Sequence, residues 1–528
     1  MPPPTSGSAS WVGLPRIKGA TESMQMALLT TSMIGLDFCW GTEMTYATPY
    51  LLSLGLSKSR LSLVWIAGPL SGLVMQPVVG MVSDKRREGT RRKAAIAVAV
   101  VDIYVLDFVI NIAQSTCRAL VVDALPIEKQ QLGSAWVSRM SGVGKLMMYG
   151  LGALDLKAWT GNFMGDSQFK KVCLIAAVAM AAAQGTTCWA VSERVYVATG
   201  KSGGSESTIQ ILRQIFTTTL RAPERINAIC MVQFWSWIGW FPFLFYGSTW
   251  VGEIYLRHEA PNATGDALTN VGRIGSTAFI MFAIICFAAS IVLPWLVQSP
   301  EEDGYTPRPP KQLGTVLSSL RSRKPTLLTA WMLSNLVFAA SMIFAPFVRS
   351  VGFATVIIAL CGISFAVGGW APGTFLGIEV NKMSSTLPSM NGVNGGLLSG
   401  RQSEESIEMI TPPSRSPHSS QRSSPRTLHL RHASNASIPD NDSTGELSGI
   451  YLGILNIYTT LPQFVGTAIS WVVFSILEPG KSPELATEAP PEEHHGTAGV
   501  SGIAVCLFIG AISALVAAWA TRRLSGGG

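Results

Sequence analysis

Eleven apolar runs divide this chain of 528 residues. They lie near 27–53, 61–83, 94–122, 138–156, 171–191, 227–250, 271–297, 326–347, 351–378, 447–476 and 500–521. A helix needs about 20 apolar residues to cross the hydrocarbon layer of a bilayer. Only 13% of the residues are charged, which is about half the usual share in soluble proteins. The sequence therefore predicts an all-α polytopic membrane protein whose surroundings are a lipid bilayer.

The run 94–122 carries a polar stripe. Asp107, Asn111, Gln114 and Arg118 recur at positions i, i+4, i+7 and i+11, so one helix face carries all four side chains. A carboxylate or a guanidinium near the bilayer centre costs roughly 2.5–3.5 kcal/mol. Two interpretations follow: a polar seam between packed helices, or a site for a substrate and a proton. The remainder of the chain favours the second.

Basic residues indicate which loops face the cytoplasm. They concentrate in the N-terminus, in 83–93, 193–226, 299–325 and 381–446, and at the C-terminus. The opposite loops include 251–270, with a glycosylation sequon at Asn262, and the acidic stretch 478–498. Three runs separate the basic loops 83–93 and 193–226, and an odd number would place them on opposite sides. We therefore predict either that one segment does not cross or that a span is missing near 93–98.

These assignments divide the chain into regions. We predict a disordered cytoplasmic tail at 1–23, an N-terminal transmembrane half of five spans at 24–192, a cytoplasmic linker at 193–226 and a C-terminal half of six spans at 227–524. The Ser-, Pro- and Arg-rich insertion 384–445 should be disordered and cytoplasmic. Its Ser-Pro and Arg-containing patterns are typical of kinase targets, although they fit a passive linker equally well.

Several classes of function are disfavoured. All eight cysteines lie within apolar runs, which indicates buried packing rather than disulfides or a metal site. The formal charge of +7 is spread over loops, so nucleic-acid binding is not expected. No nucleophile–base pair, phosphate-binding loop or cofactor motif stands out, so we do not expect an enzyme or a bound cofactor. The first apolar run is too long for a cleavable signal peptide.

The loop after the second run contains Gly80, Asp84 and Lys85, followed by Arg91 and Arg92. This spacing resembles the signature loop of the major facilitator superfamily. Glycine lets helices approach closely, and the aspartate can pair with arginines or with a helix N-terminus. The motif predicts a charge cluster that closes the cytoplasmic side. A simple basic loop is the alternative.

Four longer stretches make this resemblance more specific: GPLSGLVMQPVVGMVSD (68–84), TPYLLSLGL (48–56), CRALVVD (117–123) and GWFPFLFYGSTWVGE (239–253). They resemble the sucrose–proton symporters of plants and, more closely, the fungal α-glucoside and sucrose transporters. Both belong to the glycoside-pentoside-hexuronide cation symporter group within the major facilitator superfamily. The resemblance implies two six-helix halves, with this chain lacking the third span. It also implies cytoplasmic termini and residence in the plasma membrane, with the vacuolar membrane as an alternative.

The resemblance assigns roles to three residues. The carboxylate and the arginine of the family's fourth span correspond to Asp107 and Arg118, which implies proton coupling and sugar binding, respectively. The arginine of the eighth span resembles Arg273, which is expected to act in gating together with the signature-loop residues. Two departures are visible. The acidic plant motif after the aromatic stretch reads Gly247 to Glu253 here, and Lys58 stands where the plant proteins have a histidine.

Other residues complete the predicted site. Glu43 is expected to carry the proton as an alternative, and Asp37 lies in the same run. Asn111 and Gln114 offer partners for sugar hydroxyls, and Trp240 is the first choice for stacking on a sugar ring. In this hypothesis, protonation of Asp107 weakens its attraction to Arg118, whose guanidinium then binds the sugar.

Three functional hypotheses remain open. The first is proton-coupled symport of a disaccharide, sucrose or maltose, by alternating access. The second is a sugar sensor that does not transport. The third is a product whose transport is defective because one span is lost.

Overall fold

A computed structural model describes residues 10–12, 16–74, 91–125, 127–161, 163–192, 195–197, 222–260, 267–298, 324–386, 442–486, 490–494 and 499–524. Some helical side chains within these ranges, including that of Arg118, lie outside the description. So do three predicted features: the core of the signature loop, the central linker from 198 to 221 and most of the insertion.

The described part of the N-terminal half, 16–74, 91–125, 127–161 and 163–192, includes eight helices. They are α1 (Glu22–Thr30), α2 (Ser32–Ser53), α3 (Lys58–Val64), α4 (Ala67–Val74), α5 (Arg91–Ala124), α6 (Ile127–Ala153), α7 (Leu156–Thr160) and α8 (Gln168–Ala190). Side-chain caps begin several of them, because the first backbone N–H groups of a helix lack partners. Asp155 accepts from Ala158 N at the start of α7, and Ser167 accepts from Lys170 N at the start of α8.

Six long helices lie in those stretches of the C-terminal half that the structure describes. They are α9 (Glu224–Ile254), α10 (Ala267–Leu296), α11 (Leu327–Met342), α12 (Val351–Thr386), α13 (Asp442–Leu477) and α14 (Gly502–Arg523). A π-helical turn, Tyr255–Glu259, extends α9. Helix α12 continues to Thr386 and α13 begins at Asp442, so the insertion joins these two helices.

Short strands connect the beginning of the chain to the end of α8. Strand β1 (Ser10–Val12) pairs with β4 (Val195–Val197), and β2 (Arg16–Ile17) pairs with β3 (Val191–Ser192), both antiparallel. Residues 10–12 and 16–17 of the predicted tail thus pair with residues just beyond α8, and the disorder of the tail stays a prediction.

The two halves meet through several pairs of helices. Helix α6 packs against α10, and α3 and α4 pack against α13, while α2 crosses α9 between them. Hydrogen bonds mark this crossing. Thr48 Oγ1 donates to the carbonyl oxygen of Phe245 at 2.8 Å, and Ser248 Oγ donates to that of Met44 at 3.2 Å. The centre of the molecule is therefore formed by the first long helix of each half.

One region of the molecule bears on the predicted loss of a third span. Helix α11 packs against α12 and α14; with a third span lost, the N-terminal counterparts of α12 and α14 would be α5 and α8. In the described part of the chain, α5 and α8 are joined mainly through α2, which packs against both. The apolar segment of α8 is only 22% buried, against 56% for α14. A cavity of about 330 Å³ lies between α5 and α8, lined by Thr116, Cys117, Leu120, Gln184, Thr187, Cys188 and Val191. The loss of the third span stays a prediction, because 75–90 lies outside the described residues.

Seven helices of the described chain are long and apolar enough to cross a membrane. They are Gln168–Ala190, Glu224–Glu259, Ala267–Pro294, Leu327–Phe347, Val351–Glu379, Gly453–Leu477 and Gly502–Arg523. The prediction of an all-α polytopic membrane protein is confirmed. The other four predicted spans correspond to α2, α3 with α4, α5, and α6, and their crossing stays a prediction.

The loops at one end of the bundle suggest a test of orientation. We call this the outer end; it includes 54–57, 255–260 and 478–486. We expect glycosylation of Asn262, because its sequon lies between α9 and α10 at this end. The Asn435 and Asn441 sequons should stay unmodified on the opposite side. A mobility shift on endoglycosidase treatment, lost in Asn262→Gln, would show this. A shift that requires Asn435 instead would reverse the orientation.

Candidate functional site

Two buried carboxyl groups meet where α2 packs against α5. Glu43 is 4% exposed and Asp107 is fully buried. Their carboxyl groups are close enough to interact directly. None of their four oxygen atoms accepts a hydrogen bond from a donor in the described part of the chain. Two carboxyl groups in such contact need a proton between them, because neither carboxylate can donate. We call Glu43 and Asp107 the carboxyl pair.

The carboxyl pair lies beside the interface between the halves. A Cβ atom placed on Gly68 of α4 would lie 4.0 Å from Asp107 Oδ2 and 3.7 Å from Gln463 Oε1 of α13. The ring of Phe245, on α9, would be 3.8 Å away. Position 68 therefore lies beside both a carboxylate of the N-terminal half and an amide oxygen of the C-terminal half. A ligand held between the halves at this point could contact both.

Trp40 adds a donor to this region. It lies three residues before Glu43 on α2, hence on the same helix face. Its indole Nε1 is buried and donates to no acceptor in the described chain. A buried N–H that donates to no protein acceptor can donate to an acceptor on a bound molecule. A polyhydroxylated molecule could donate to the carboxyl pair and accept from Trp40.

Helix α5 carries the polar stripe, and the described side chains of the stripe have different surroundings. Asn111 donates from Nδ2 to the backbone oxygen of Asp107 at 2.8 Å, and Gln114 is partly buried. Helix α5 is continuous across the stripe, so at 1.5 Å per residue Arg118 lies about 16 Å from Asp107 along the axis. The expected direct attraction between these two residues does not fit that distance. The charged group beside Asp107 is Glu43.

A second charged pair lies on α2 and α6. Lys145 Nζ is 2.9 Å from Asp37 Oδ1, and the two side chains are 22% and 11% exposed. The same ammonium lies 5.2 Å from the ring centre of Phe365, on α12 of the other half. A cation between a carboxylate and an aromatic face is stabilised by both. Together these groups form a polar and aromatic surface between the halves.

The predicted stacking residue Trp240 lies deep in an aromatic cluster. Its ring is 5% exposed and contacts Phe338, Phe365 and Phe243 at centroid distances of 4.4, 5.1 and 5.3 Å. Its faces are therefore occupied by protein in this conformation. Phe365, which faces Lys145, is the aromatic residue better placed to meet a ligand.

A larger group of charges lies at the outer end. The outer charge cluster consists of Lys58, Glu253, Arg257, Glu478 and Glu484. Lys58 Nζ lies 2.5 Å from Glu253 Oε1 and 2.8 Å from Glu478 Oε2. Arg257 Nε lies 2.6 Å from Glu484 Oε1. Burial tends to raise the pKa of Glu484, but Arg257 and Lys58 hold this pKa below its usual value.

Comparisons with known proteins agree with this architecture. A general alpha-glucoside permease of Schizosaccharomyces pombe is 27% identical over 95% of this chain and 94% of the permease. The sucrose transport protein SUC4 of Arabidopsis thaliana is 27% identical, over 52% of this chain and 63% of that protein. The chain thus covers less than two thirds of this plant relative. No protein-family model matches the chain.

A solved structure decides the fold. The crystal structure of a variant of the nucleoside transporter NupG aligns with a TM-score of 0.50 at 12% identity, over 94% of this chain and 99% of that chain. The chain has the major facilitator fold. The resemblance to α-glucoside and sucrose transporters is also confirmed, and these similar proteins are membrane transporters, not enzymes.

Two gating elements were predicted from the sequence. The structure describes one of them, Arg273, but not the core of the other, the signature loop. Arg273 Nη1 lies 3.1 Å from Asp155 Oδ2, so it joins α10 to the N-terminal half at the outer end. The signature-loop residues Gly80, Asp84 and Lys85 lie outside the described residues. Arg91 and Arg92 begin α5, but their side chains are not described. Their gating role stays a prediction.

Sequence reasoning missed two lysines of this fold. Lys145 interrupts the apolar run 138–156, and an ionisable residue within a span is by itself a signal of function. In the sequence, Lys58 is notable only because it stands where the plant proteins have a histidine. The glutamates of 478–498 indicated an acidic outer loop, but nothing in the sequence showed that Glu478 and Lys58 meet.

Proposed function

We propose that this protein imports a disaccharide of the sucrose or maltose type together with a proton, by alternating access across the plasma membrane. The names of its relatives support the substrate class, because they include a general alpha-glucoside permease and sucrose transport proteins. The position of the polar groups between the halves supports alternating access, since either side of such a site can open in turn.

The observation that carries this proposal is the carboxyl pair. Glu43 and Asp107 are buried in contact, with no cation or other donor beside them in the described chain. Such a pair binds a proton while the two groups face each other, and releases it when water reaches them. Because it lies beside Gly68 and Gln463, helix movement between the halves would change its exposure. This couples proton binding to the conformational cycle.

The sugar would bind next to these acids. Asp37 and Lys145 offer an acceptor and a donor for hydroxyl groups, and the ring of Phe365 offers an apolar face. Trp40 supplies a further donor. A pyranose needs this combination, because its edges are polar and its faces are partly apolar. Sugar and proton would then stabilise the same closed arrangement, so that binding of either one increases the affinity for the other.

Transport into sealed vesicles tests the proposal. Labelled sucrose and maltose are offered to vesicles carrying the protein, with an imposed pH gradient, and sugar accumulation and proton entry are measured together. A potential of about 100 mV supplies roughly 2.3 kcal/mol per proton, which supports roughly 50-fold accumulation. We expect accumulation that collapses with a protonophore. Binding without accumulation would indicate the sensor or the defective product, and accumulation indifferent to protonophore would exclude proton coupling.

Removing the ammonium of Lys145 should weaken sugar binding. A hydrogen bond to a charged group contributes about 1.5–3 kcal/mol, so Lys145→Met should raise the KM for sugar by roughly 10- to 100-fold. The maximal rate should change much less. Initial uptake rates over a range of sugar concentrations give both values. Lys129→Met is the matched control, because Lys129 lies on the same helix and pairs with Glu22 near its other end. An unchanged KM in Lys145→Met would remove this residue from the sugar site.

A further inference from the structure

The carboxylates of the outer charge cluster are held in place by their own half of the molecule. Glu253 Oε2 accepts from Ser501 Oγ at 3.3 Å, and Glu478 Oε1 accepts from the backbone N–H of Gly502 at 3.1 Å. Arg257 Nη2 lies 3.8 Å from both carboxylates. One oxygen of each carboxylate is thus occupied within the C-terminal half, and the other, Glu253 Oε1 or Glu478 Oε2, faces Lys58.

Lys58 is the member of this cluster that comes from the N-terminal half. It begins α3, directly after the loop that follows α2, and its side chain is fully buried. The other four members lie on α9 and its π-helical turn, at the end of α13 and in the following loop. Lys58 of the N-terminal half is therefore inserted between two carboxylates, those of Glu253 and Glu478, which the C-terminal half holds in position. We call these two carboxylates the Glu253–Glu478 socket.

The charge balance of the cluster makes it unfavourable for Lys58 to separate from the carboxylates. With Lys58 in place, two cations face three carboxylates: Glu253, Glu478 and Glu484. Without it, Arg257 alone would face the same three acids in a largely buried position. Removing one partner of a buried ion pair is strongly unfavourable, because it leaves an uncompensated charge out of water. The socket is stable only when Lys58 fills it or when water enters.

We propose that Lys58 is the residue that closes the outer end, and that this end opens only when Lys58 leaves the Glu253–Glu478 socket. Opening then places a lysine on one half and two carboxylates on the other in contact with water, which solvates both. The exposed pair Arg273–Asp155 joins the same two halves and is more accessible to water, with side chains 36% and 43% exposed. It contributes less, because exposed ion pairs are weak.

This inference rests on the proposed alternating access but needs neither sugar nor proton transport for its test. Ser62 provides the reporter position. It lies one turn after Lys58 on α3, is fully buried, and donates to the backbone oxygen of Ser59. In full-length Ser62→Cys protein in intact cells, a membrane-impermeant maleimide is added outside. Labelling of the peptide that contains position 62 is then followed by mass spectrometry, so the native cysteines do not interfere.

Adding Lys58→Met should raise the labelling rate by about 10-fold or more, because two unneutralised carboxylates shift the population towards the open state. Lys171→Met is the matched control. Lys171 is also fully buried near this end, but its Nζ donates to Thr160 Oγ1 at 2.7 Å and to Leu156 and Gly161, all in the N-terminal half. Labelling in this control should stay at the rate of Ser62→Cys alone.

A second variant keeps the test decisive if Lys58→Met fails to reach the membrane. Glu253→Gln with Glu478→Gln removes the socket charges and retains Lys58, so it should raise labelling in the same way. Equal labelling rates in either correctly inserted variant and in Ser62→Cys alone would overturn the proposal. Faster labelling in a protein that accumulates no sugar would support the gate while contradicting the proposed transport function.

Discussion

Asp107→Asn should abolish the accumulation of sugar while leaving sugar binding detectable. Asparagine cannot take up and release a proton, and it can donate permanently to Glu43, which mimics the protonated pair. The protein should then carry sugar only down its concentration gradient. The accumulation ratio in vesicles at about 100 mV should fall from roughly 50 to roughly 1, and sugar-induced proton entry should disappear.

The matched control for this substitution is Asp102→Asn on the same helix. Asp102 is exposed and lies five residues before Asp107, on a different face of α5. It should keep both accumulation and proton entry. Glu43→Gln should behave like Asp107→Asn, because the amide donates to Asp107 in the same way. Full pH-dependent accumulation in Asp107→Asn would mean that the carboxyl pair does not carry the transported proton.

Gly272→Ala should prevent the outer end from closing. A Cβ atom at Gly272 of α10 would lie within 3.0 Å of three atoms of the Tyr46 ring on α2. The ring cannot move aside easily, since it is fully buried, packs against Phe169 and donates from its hydroxyl to Gly152 O. Overpacking of this kind costs about 1–3 kcal/mol, so uptake should fall on the order of 10- to 100-fold. Initial rates of labelled sugar uptake measure this loss.

Two further variants separate the clash from general misfolding. Gly352→Ala adds the same methyl group at the start of α12, where nothing lies within 4 Å, and should leave uptake unchanged. Tyr46→Leu in the Gly272→Ala background removes the ring and should restore part of the uptake. If Gly272→Ala protein reaches the membrane and transports at the normal rate, the close approach of α2 and α10 is not required for the cycle.

The acids of the site could be found in the sequence, but not their pairing. Glu43 and Asp107 are conspicuous because each interrupts an apolar run. The helical repeat grouped Asp107 with Arg118, since spacing shows which residues share a face. It does not show which neighbouring helix covers that face. The rise of a helix separates these two residues by about 16 Å, and the packing of α2 on α5 brings Glu43 to Asp107 instead.

The same limit applies to the charged contacts between the halves. Lys58 meets Glu253 and Glu478, which come almost 200 and more than 400 residues later in the chain. Lys145 meets the ring of Phe365 over a similar distance. No local pattern connects such positions, because they depend on how two separately folded bundles are placed against each other.

What the sequence determined by itself is the class of fold. Its apolar runs require a bilayer and therefore helices, because a backbone in hydrocarbon must satisfy its hydrogen bonds within each segment. Which polar groups face each other was decided by tertiary structure alone. Close helix packing at Gly272 brings α2 and α10 of the two halves together, and a charge buried between packed helices is unfavourable unless it is neutralised by a proton or paired with an opposite charge.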